Sequence, residues 1–287
     1  MREIAYFPGC THFSTARHFE TSAAEVFRTL GYELAEKFSW VCCGTVHGLS
    51  TDNLMQNLAA VRNLARAEAA GVRRLVTNCA MCYNTLKQAN ELVRENPEAL
   101  KNINDFMDEE PDYHGEVEVL HSLQLLLEIG AEEIEKRVVK PLDSIRVAPY
   151  YGCLLLRPRS VAVDNPEKPK IMEEILRAAG AKIVQDARLR YCCGSYHTVD
   201  RKEIVVSRIS EIISASKRKG ADIIAVACPL CEFNLDKRQE YLTSERIPVL
   251  YFTQLLALAF GKEDSCLFEK HFVDPRPLLR ERGVLDE

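Results

Sequence analysis

Short apolar runs alternate along the chain with longer stretches whose apolar positions recur at helical spacing. In the first half, Ile4–Phe7 is apolar and stops at Pro8-Gly9, the mark of a strand and its turn. Ala16 to Leu30 has helical periodicity and ends at Gly31, a suitable C-cap. Tyr32–Lys37 predicts a second strand. Asp52 to Ala70 predicts a helix with Ser50, Thr51 or Asp52 as N-cap and Gly71 beyond its end. Arg73–Thr77 and Val117–His121 supply a third and a fourth strand. The second half repeats the series. Ile145–Ala148 is a strand, Lys170–Ala179 a helix closed by Gly180, and Ala181–Gln185 a strand. A helix from Arg201 to Lys219, closed by Gly220, precedes strands at Asp222–Ala227 and Val249–Phe252. This alternation predicts α/β units on a mainly parallel sheet.

The repetition is visible in the residues themselves. Ile4-Ala5-Tyr6-Phe7-Pro8-Gly9-Cys10 returns as Val147-Ala148-Pro149-Tyr150-Tyr151-Gly152-Cys153, and Cys42-Cys43-Gly44 returns as Cys192-Cys193-Gly194. Cys79-Ala80-Met81-Cys82 returns as Cys228-Pro229-Leu230-Cys231, and Val119 to Leu126 matches Val249 to Leu256. The offset is 143 at the first cysteine, 149 to 150 through the middle and 130 at the last match. The fall places extra residues in the first half near Arg94 to His114, a polar, acidic stretch expected to be a surface excursion. The halves divide near Lys140–Ser144, so residues 1–144 and 145–287 are expected to be two similar domains about a pseudo-twofold axis. The tail from Gly261, with Pro275 and Pro277, is expected to lie over the surface or contact a partner.

Composition narrows the classes. The chain has 287 residues, enough for one large domain or two modest ones, with 47% apolar and 28% charged residues. A net charge of -5 argues against nucleic-acid binding. The longest apolar candidate, Leu250 to Phe260, is interrupted by Thr253 and Gln254 and is far below the roughly 18 residues of a membrane span. Met1 to Ala5 shows no signal-peptide pattern, so a cytoplasmic location is expected, at the membrane face only through partners.

Eleven cysteines change the picture. In a reducing compartment, clustered cysteines serve metal or redox chemistry. Cys10, Cys42-Cys43 and Cys79-x-x-Cys82 recur in order as Cys153, Cys192-Cys193 and Cys228-x-x-Cys231, leaving Cys266 unmatched. Cys10, Cys79, Cys153 and Cys228 each follow a predicted strand, and ligands of open α/β sheets bind beyond such strand ends. Thiolates select zinc, copper(I) or iron–sulfur clusters, and a helix N-terminus after Cys-x-x-Cys favours their charge. Four donors complete a structural zinc or an ordinary cubane; five exceed both. Adjacent Cys42 and Cys43 diverge from one another and suit two metal atoms of a larger cluster. The plainer readings are buried free thiols or two structural zincs. Duplication of the whole pattern weighs against the first.

Cys-x31-Cys-Cys-Gly-x34-Cys-x-x-Cys, present twice and opened by Tyr6-Phe7-Pro8-Gly9-Cys10, resembles the cysteine-rich CCG domain. Two copies in one chain closely resemble the B-type subunit of heterodisulfide reductase, to about Gly261. The resemblance implies two Rossmann-like CCG domains holding two noncubane [4Fe-4S] clusters. Cys10, Cys42, Cys43, Cys79 and Cys82 would hold the first, and Cys153, Cys192, Cys193, Cys228 and Cys231 the second. It further implies a disulfide/thiol oxidoreductase within a multisubunit complex, its disulfide substrate cleaved between the clusters. A C-like iron–sulfur protein of that complex, with an A-like flavin protein beyond it, would deliver the electrons. The same tandem domain occurs in succinate or fumarate and glycolate or lactate oxidoreductases. The alternative is therefore an electron-transfer subunit linking a ferredoxin-like partner to a dehydrogenase or quinone. An open pocket between the two sites favours catalysis, and a sealed interface favours relay. The chain carries no glycine-rich dinucleotide fingerprint and no P-loop.

His47 and His197 share the place Cys-Cys-Gly-x-x-His and are the candidate proton donors; packing beside the loop is the plainer role. Arg157, Arg159, Lys168 and Lys170 follow Cys153 as anion-binding candidates or, more simply, solvated loop charges. Tyr150, Tyr151 and Tyr191 are candidates to wall a cluster from water.

Overall fold

The structure is a computed structural model that describes residues 1–45, 55–243 and 246–286. All eight predicted strands are present, and all pair in parallel. In the first half these are β1 (Arg2–Ala5), β2 (Tyr32–Ala35), β3 (Arg74–Thr77) and β4 (Glu118–His121). β1 pairs with β2 and β3 with β4; a bridge between Tyr6 and Val76 joins the pairs, with Phe7 N–H donating to the Val76 carbonyl at 2.8 Å. The lateral order is therefore β2-β1-β3-β4. In the second half β5 (Arg146–Pro149), β6 (Lys182–Ile183), β7 (Ile223–Val226) and β8 (Val249–Tyr251) form one sheet in the matching order β6-β5-β7-β8. Tyr150 N–H donates to Ala225 at 2.8 Å, the counterpart of the Phe7 bond.

The four predicted helices are α1 (Arg17–Thr29), α2 (Leu58–Ala69), α7 (Ile171–Ala178) and α8 (Lys202–Arg218), the numbering following chain order. The expected N-caps Ser50, Thr51 and Asp52 lie outside the described residues. Between them stand α3 (Ala80–Glu95), α4 (Pro97–Phe106), α5 (Ser122–Ile129) and α6 (Ala131–Glu135). After them come α9 (Pro229–Leu235), α10 (Phe252–Ala259) and α11 (Arg276–Glu281).

The halves exchange helices reciprocally. α1 of the first packs on α10 of the second, and α5 and α6 of the first pack on α7 of the second. α1 and α7 occupy matching places in the repeat, as do α5 and α10, so the contact is of the self-complementary kind found across a twofold. At the α1–α10 side, Phe19 stacks on Tyr251 at 3.9 Å between ring centres, and Ser22 Oγ lies 2.7 Å from Thr253 Oγ1.

The last sequence match of the repeat is a helix-start device. Gln124 Oε1 accepts the His121 N–H at 3.0 Å and Gln254 Oε1 accepts the Tyr251 N–H at 2.8 Å, closing capping boxes on α5 and α10.

Two segments expected at the surface are folded and anchored there. The stretch Arg94–His114 carries α4. Asn96 caps α4 by accepting Ala99 N–H at 3.0 Å, Ile103, Met107 and Tyr113 are buried, and Glu110 accepts two bonds from Arg66. Apolar positions within an acidic stretch supplied that anchoring. The tail is also docked: Cys266, Leu279 and Val284 are buried, and Asp236 accepts the backbone N–H groups of Phe272 and Val273.

Truncation of the two capping glutamines should differ in effect. Gln124→Ala removes one half-exposed cap and should cost about 1 kcal/mol. Gln254 is fully buried and also donates to the Cys266 carbonyl and to His271. Gln254→Ala strands those groups and should cost roughly 2–4 kcal/mol, read from urea unfolding midpoints. A second expectation concerns acid. His121 is buried, donates Nε2–H to the Asn78 carbonyl, and burial lowers it to about 4. Unfolded, it titrates near 6.5, so unfolding takes up a proton between these values. Stability should fall by about 3 kcal/mol as pH drops from 6.5 towards 4, and His121→Gln should flatten that part of the stability–pH profile.

Candidate metal centres

Strand order places the cysteines. β1 and β3 are lateral neighbours whose following helices run to different parts of the sheet, the switch point at which such folds bind ligands. β5 and β7 repeat the arrangement. The turn after β1 carries Gly9 (φ 77°) and the turn after β5 carries Gly152 (φ 64°). A Cβ on Gly9 would stand 2.9 Å from Cys82 Sγ; one on Gly152 would stand 3.5 Å from Cys231 Sγ. Each glycine thus lets its turn close on the Cys-x-x-Cys of the neighbouring strand. Cys79 and Cys228 are the N-cap residues of α3 and α9, with Cys82 and Cys231 in the first turns.

The five thiols of each half converge. In the first, Cys10 faces Cys42, Cys43 faces Cys42 and Cys82, and Cys82 faces Cys79. In the second, Cys153 faces Cys192, Cys231 faces Cys228, and Cys193 Sγ lies 3.6 Å from Cys231 Sγ. The two sets touch where Cys79 meets Cys228, and beside them Ala80 N–H donates to the Ala227 carbonyl at 3.1 Å. This inner side is closed. The outer side is open: Cys10, Cys42 and Cys192 are exposed. Thr45 Oγ1 and Tyr196 OH, one from each half, lie 3.5 Å apart.

The electrostatics describe two donor sets that need cations. Hydrogen bonds from the Cys228 and Cys82 thiols hold Cys79 well below the ordinary thiol range. Cys153, together with the backbone N–H groups of Gly194 and Ser195, brings Cys192 down to about 6. Around these, five thiols are pushed up by neighbours: Cys42 drives Cys10 up and takes Cys43 to about 11, Cys43 drives Cys82 up, Cys192 drives Cys153 up and Cys193 drives Cys231 up. Five sulfurs this close ionise together only around soft metal ions. Five donors exceed the four of a tetrahedral zinc, so each set fits a polynuclear iron–sulfur group.

Of the paired histidines, His47 lies outside the described residues. His197 is exposed, in the single turn Ser195–His197 that follows Gly194. Tyr150 is buried and donates to the Tyr191 carbonyl at 2.6 Å, which ties the turn after β5 to the segment entering Cys192. Arg157 pairs with Glu167 at 3.3 Å and Arg159 is exposed. Cys266 is buried and its thiol donates to the Gln254 carbonyl at 3.5 Å, joining neither set.

Sequence reading missed one polar group, because its members are far apart in the chain. His18 Nε2 and His271 Nδ1 lie 3.4 and 3.6 Å from Glu232 Oε1, and all three residues are buried. The spacing suits a metal, but the hydrogen bonding does not. Gln254 Oε1 already accepts Tyr251 N–H and its Nε2 donates to Cys266, so that amide nitrogen must donate to His271 Nε2 as well, at 2.9 Å. His271 Nδ1 therefore carries the proton and has no lone pair to offer. His18 and Glu232 hydrogen-bond across the two halves, and His271 of the tail is packed against them, tied to Gln254.

The profile of the CCG "Cysteine-rich domain" matches residues 4–87 and 147–236. The chain belongs to the tandem CCG-domain family that includes the B-type heterodisulfide reductase subunits. It is 33% identical to the 8-methylmenaquinol:fumarate reductase membrane anchor subunit of Wolinella succinogenes, over 91% of this chain and 93% of that one. It is 30% identical to the B-type subunit of a ferredoxin/F420H2-dependent CoB-CoM heterodisulfide reductase of Methanosarcina acetivorans, over 91% and 90%. A hypothetical protein from Helicobacter pylori shares the fold with a TM-score of 0.73 at 14% identity, over 94% of this chain and 52% of that one. These relatives support an iron–sulfur electron-transfer role within an oxidoreductase complex. Among the described residues no helix is long and apolar enough to cross a membrane.

The Gly9 contact can be tested directly. Gly9→Ala puts a methyl group against Cys82 Sγ in a left-handed backbone and should lower the iron content of the purified protein. Gly31→Ala, equally left-handed at φ 90° but with nothing within 4 Å of the new Cβ, should cost only about 1 kcal/mol of stability and leave iron unchanged.

Proposed function

We propose that this chain is the catalytic iron–sulfur subunit of a heterodisulfide reductase-like complex, reducing or forming a disulfide at two cysteine-held clusters. The observation that supports this reading is the pair of five-cysteine sets in direct contact, with exposed sulfurs from both halves on one open side. Cys10, Cys42, Cys43, Cys79 and Cys82 would hold one noncubane [4Fe-4S] cluster, and Cys153, Cys192, Cys193, Cys228 and Cys231 the other. When bound, the two groups supply one electron each to the two sulfurs of the substrate. Cleavage of one S–S bond then consumes two electrons and gives two thiolates, which two protons convert to thiols. The chain's own part is to keep the two donor sets at fixed separation and to close their inner side. His197, exposed beside Gly194, stands where it can pass a proton from solvent to a departing thiolate; His47 is assigned the same role in the first half.

Similarity to the fumarate reductase protein supports a second reading, in which the same clusters pass electrons between a quinol-linked partner and a dehydrogenase. The sealed contact at Cys79–Cys228 favours this relay reading.

Iron analysis and turnover separate these. The anaerobically purified protein should carry about eight irons, and Cys43→Ser should lose those of the first set while keeping those of the second. With dithionite as donor, the wild-type protein should cleave a mixed disulfide, and Cys43→Ser should not. Full iron loading with reduction of a menaquinone analogue and no disulfide cleavage would establish the relay reading instead.

A further inference from the structure

The chain's charge is divided unevenly. Residues up to 144 carry 14 Lys and Arg against 22 Asp and Glu; those beyond carry 23 against 20. The basic surplus has a focus. A cleft of about 590 Å³ opens beside the second cysteine set, and Lys168, Lys170, Arg190 and Lys219 line it. Among the described residues the three lysine ammonium groups meet no carboxylate, and the Arg190 guanidinium donates to the Glu167 carbonyl, which leaves its charge uncompensated. The two acids in the lining are already occupied. Glu173 accepts both bonds of the Gln185 amide and pairs with Arg177 at 3.3 Å; Asp186 accepts Arg188 N–H and faces the Arg188 guanidinium at 3.4 Å. The cleft therefore presents four cations.

Two of its lining residues belong to the segments that run into the second cysteine set. Tyr151 lies two residues before half-buried Cys153, and Arg190 two residues before exposed Cys192. The Leu189 carbonyl accepts the N–H groups of Tyr151 and Gly152, which binds the two walls together. The matching ground in the first half differs. After β2, Lys37 is paired with Glu3, Glu36 accepts the Trp40 indole N–H at 2.6 Å, and Phe13 stacks on Trp40. No comparable group of free cations stands there among the described residues.

We propose that this cleft is the docking site of an acidic iron–sulfur carrier protein and that electrons enter the chain through its second half. The proposal rests on the functional reading above, because it takes the second cysteine set as an electron acceptor. Complementary charge concentrates and orients such a carrier at the sulfur donors nearest the surface, and raises the association rate more than the final affinity. Each docking event takes one electron from the carrier, which is oxidised, into the second half, which is reduced. No bond is made or broken and no proton moves. The first set, farther from the cleft, is then reached through the contact of Cys79 with Cys228. The tail packs on α1 of the first half and on α10, and α4 packs on α3, so neither is free to receive a carrier.

The test uses Lys168→Glu/Lys170→Glu, two residues whose ammonium groups make no bond among the described residues, and an acidic two-cluster ferredoxin as the probe. Binding is measured by titration at low and moderate salt, on the iron-loaded protein and on the iron-free protein if it remains folded. Electron uptake from the reduced ferredoxin is followed by stopped flow, with dithionite as the small reductant for comparison. The expected result is a loss of about tenfold or more in ferredoxin association rate, with a flatter salt dependence and unchanged reduction by dithionite. Unchanged association with ferredoxin would overturn the proposal. An unchanged association rate together with a raised KM for the disulfide under dithionite would overturn it too, and would assign the cleft to an anionic substrate. Failure of the wild-type protein to cleave disulfides would count against the proposed function alone, since carrier binding and electron uptake are read separately.

Discussion

Ten thiols at two adjoining sheet edges cannot all carry charge unless cations stand among them, and the rest of the structure serves that requirement. A free thiolate beside four others is opposed by each of them; the low position of Cys79 is matched by a raised Cys82 and that of Cys192 by a raised Cys153. Placing such donors at the carboxyl ends of parallel strands solves part of the problem, because helix N-termini and turn N–H groups converge there. Gly9 solves another part by letting backbone approach the Cys82 sulfur where a side chain would intrude, and Gly152 gives the second half the same left-handed turn.

Much of this could be read from the residues in order. The strands were legible because β1, β3, β5 and β7 are short runs closed by a Pro-Gly or cysteine turn, and duplication let one half check the other. The cysteine sets were legible for the same reason. Other features were not. α5 and α10 are apolar nearly all round, so they lack the periodicity that marks a surface helix. α3 begins inside a metal-binding motif and drew attention as ligands rather than as helix. The tail has the composition of a surface segment, yet is held by Asp236 and by buried Leu279, a long-range contact no local pattern announces. The His18–Glu232–His271 group joins residues more than two hundred positions apart and has no linear signature.

The two halves share a framework and differ where they meet solvent. Strand order, turn glycines, capping glutamines and cysteine spacing all repeat. The surfaces beside the cysteine sets do not: one is aromatic and its charges are paired, the other is basic and open. A tandem cysteine site with matched interiors and unmatched exteriors can treat its two sides differently while keeping their donor sets alike.

The reciprocal packing of α1 on α10 and of α5 on α7 is the contact that two identical single domains would make as a dimer. Covalent fusion preserves that contact and removes the demand that both copies stay identical. In a true homodimer every substitution appears twice, so a basic surface on one protomer forces a basic surface on the other. A fused chain escapes this rule, and at the seam it needs only complementary partners: Phe19 fits Tyr251 and Ser22 reaches Thr253, although the repeat counterparts of Tyr251 and Thr253 are His121 and Leu123. Gene duplication followed by fusion therefore leaves a record in where the two copies have drifted apart: freely at the rim, and only in step at the interface.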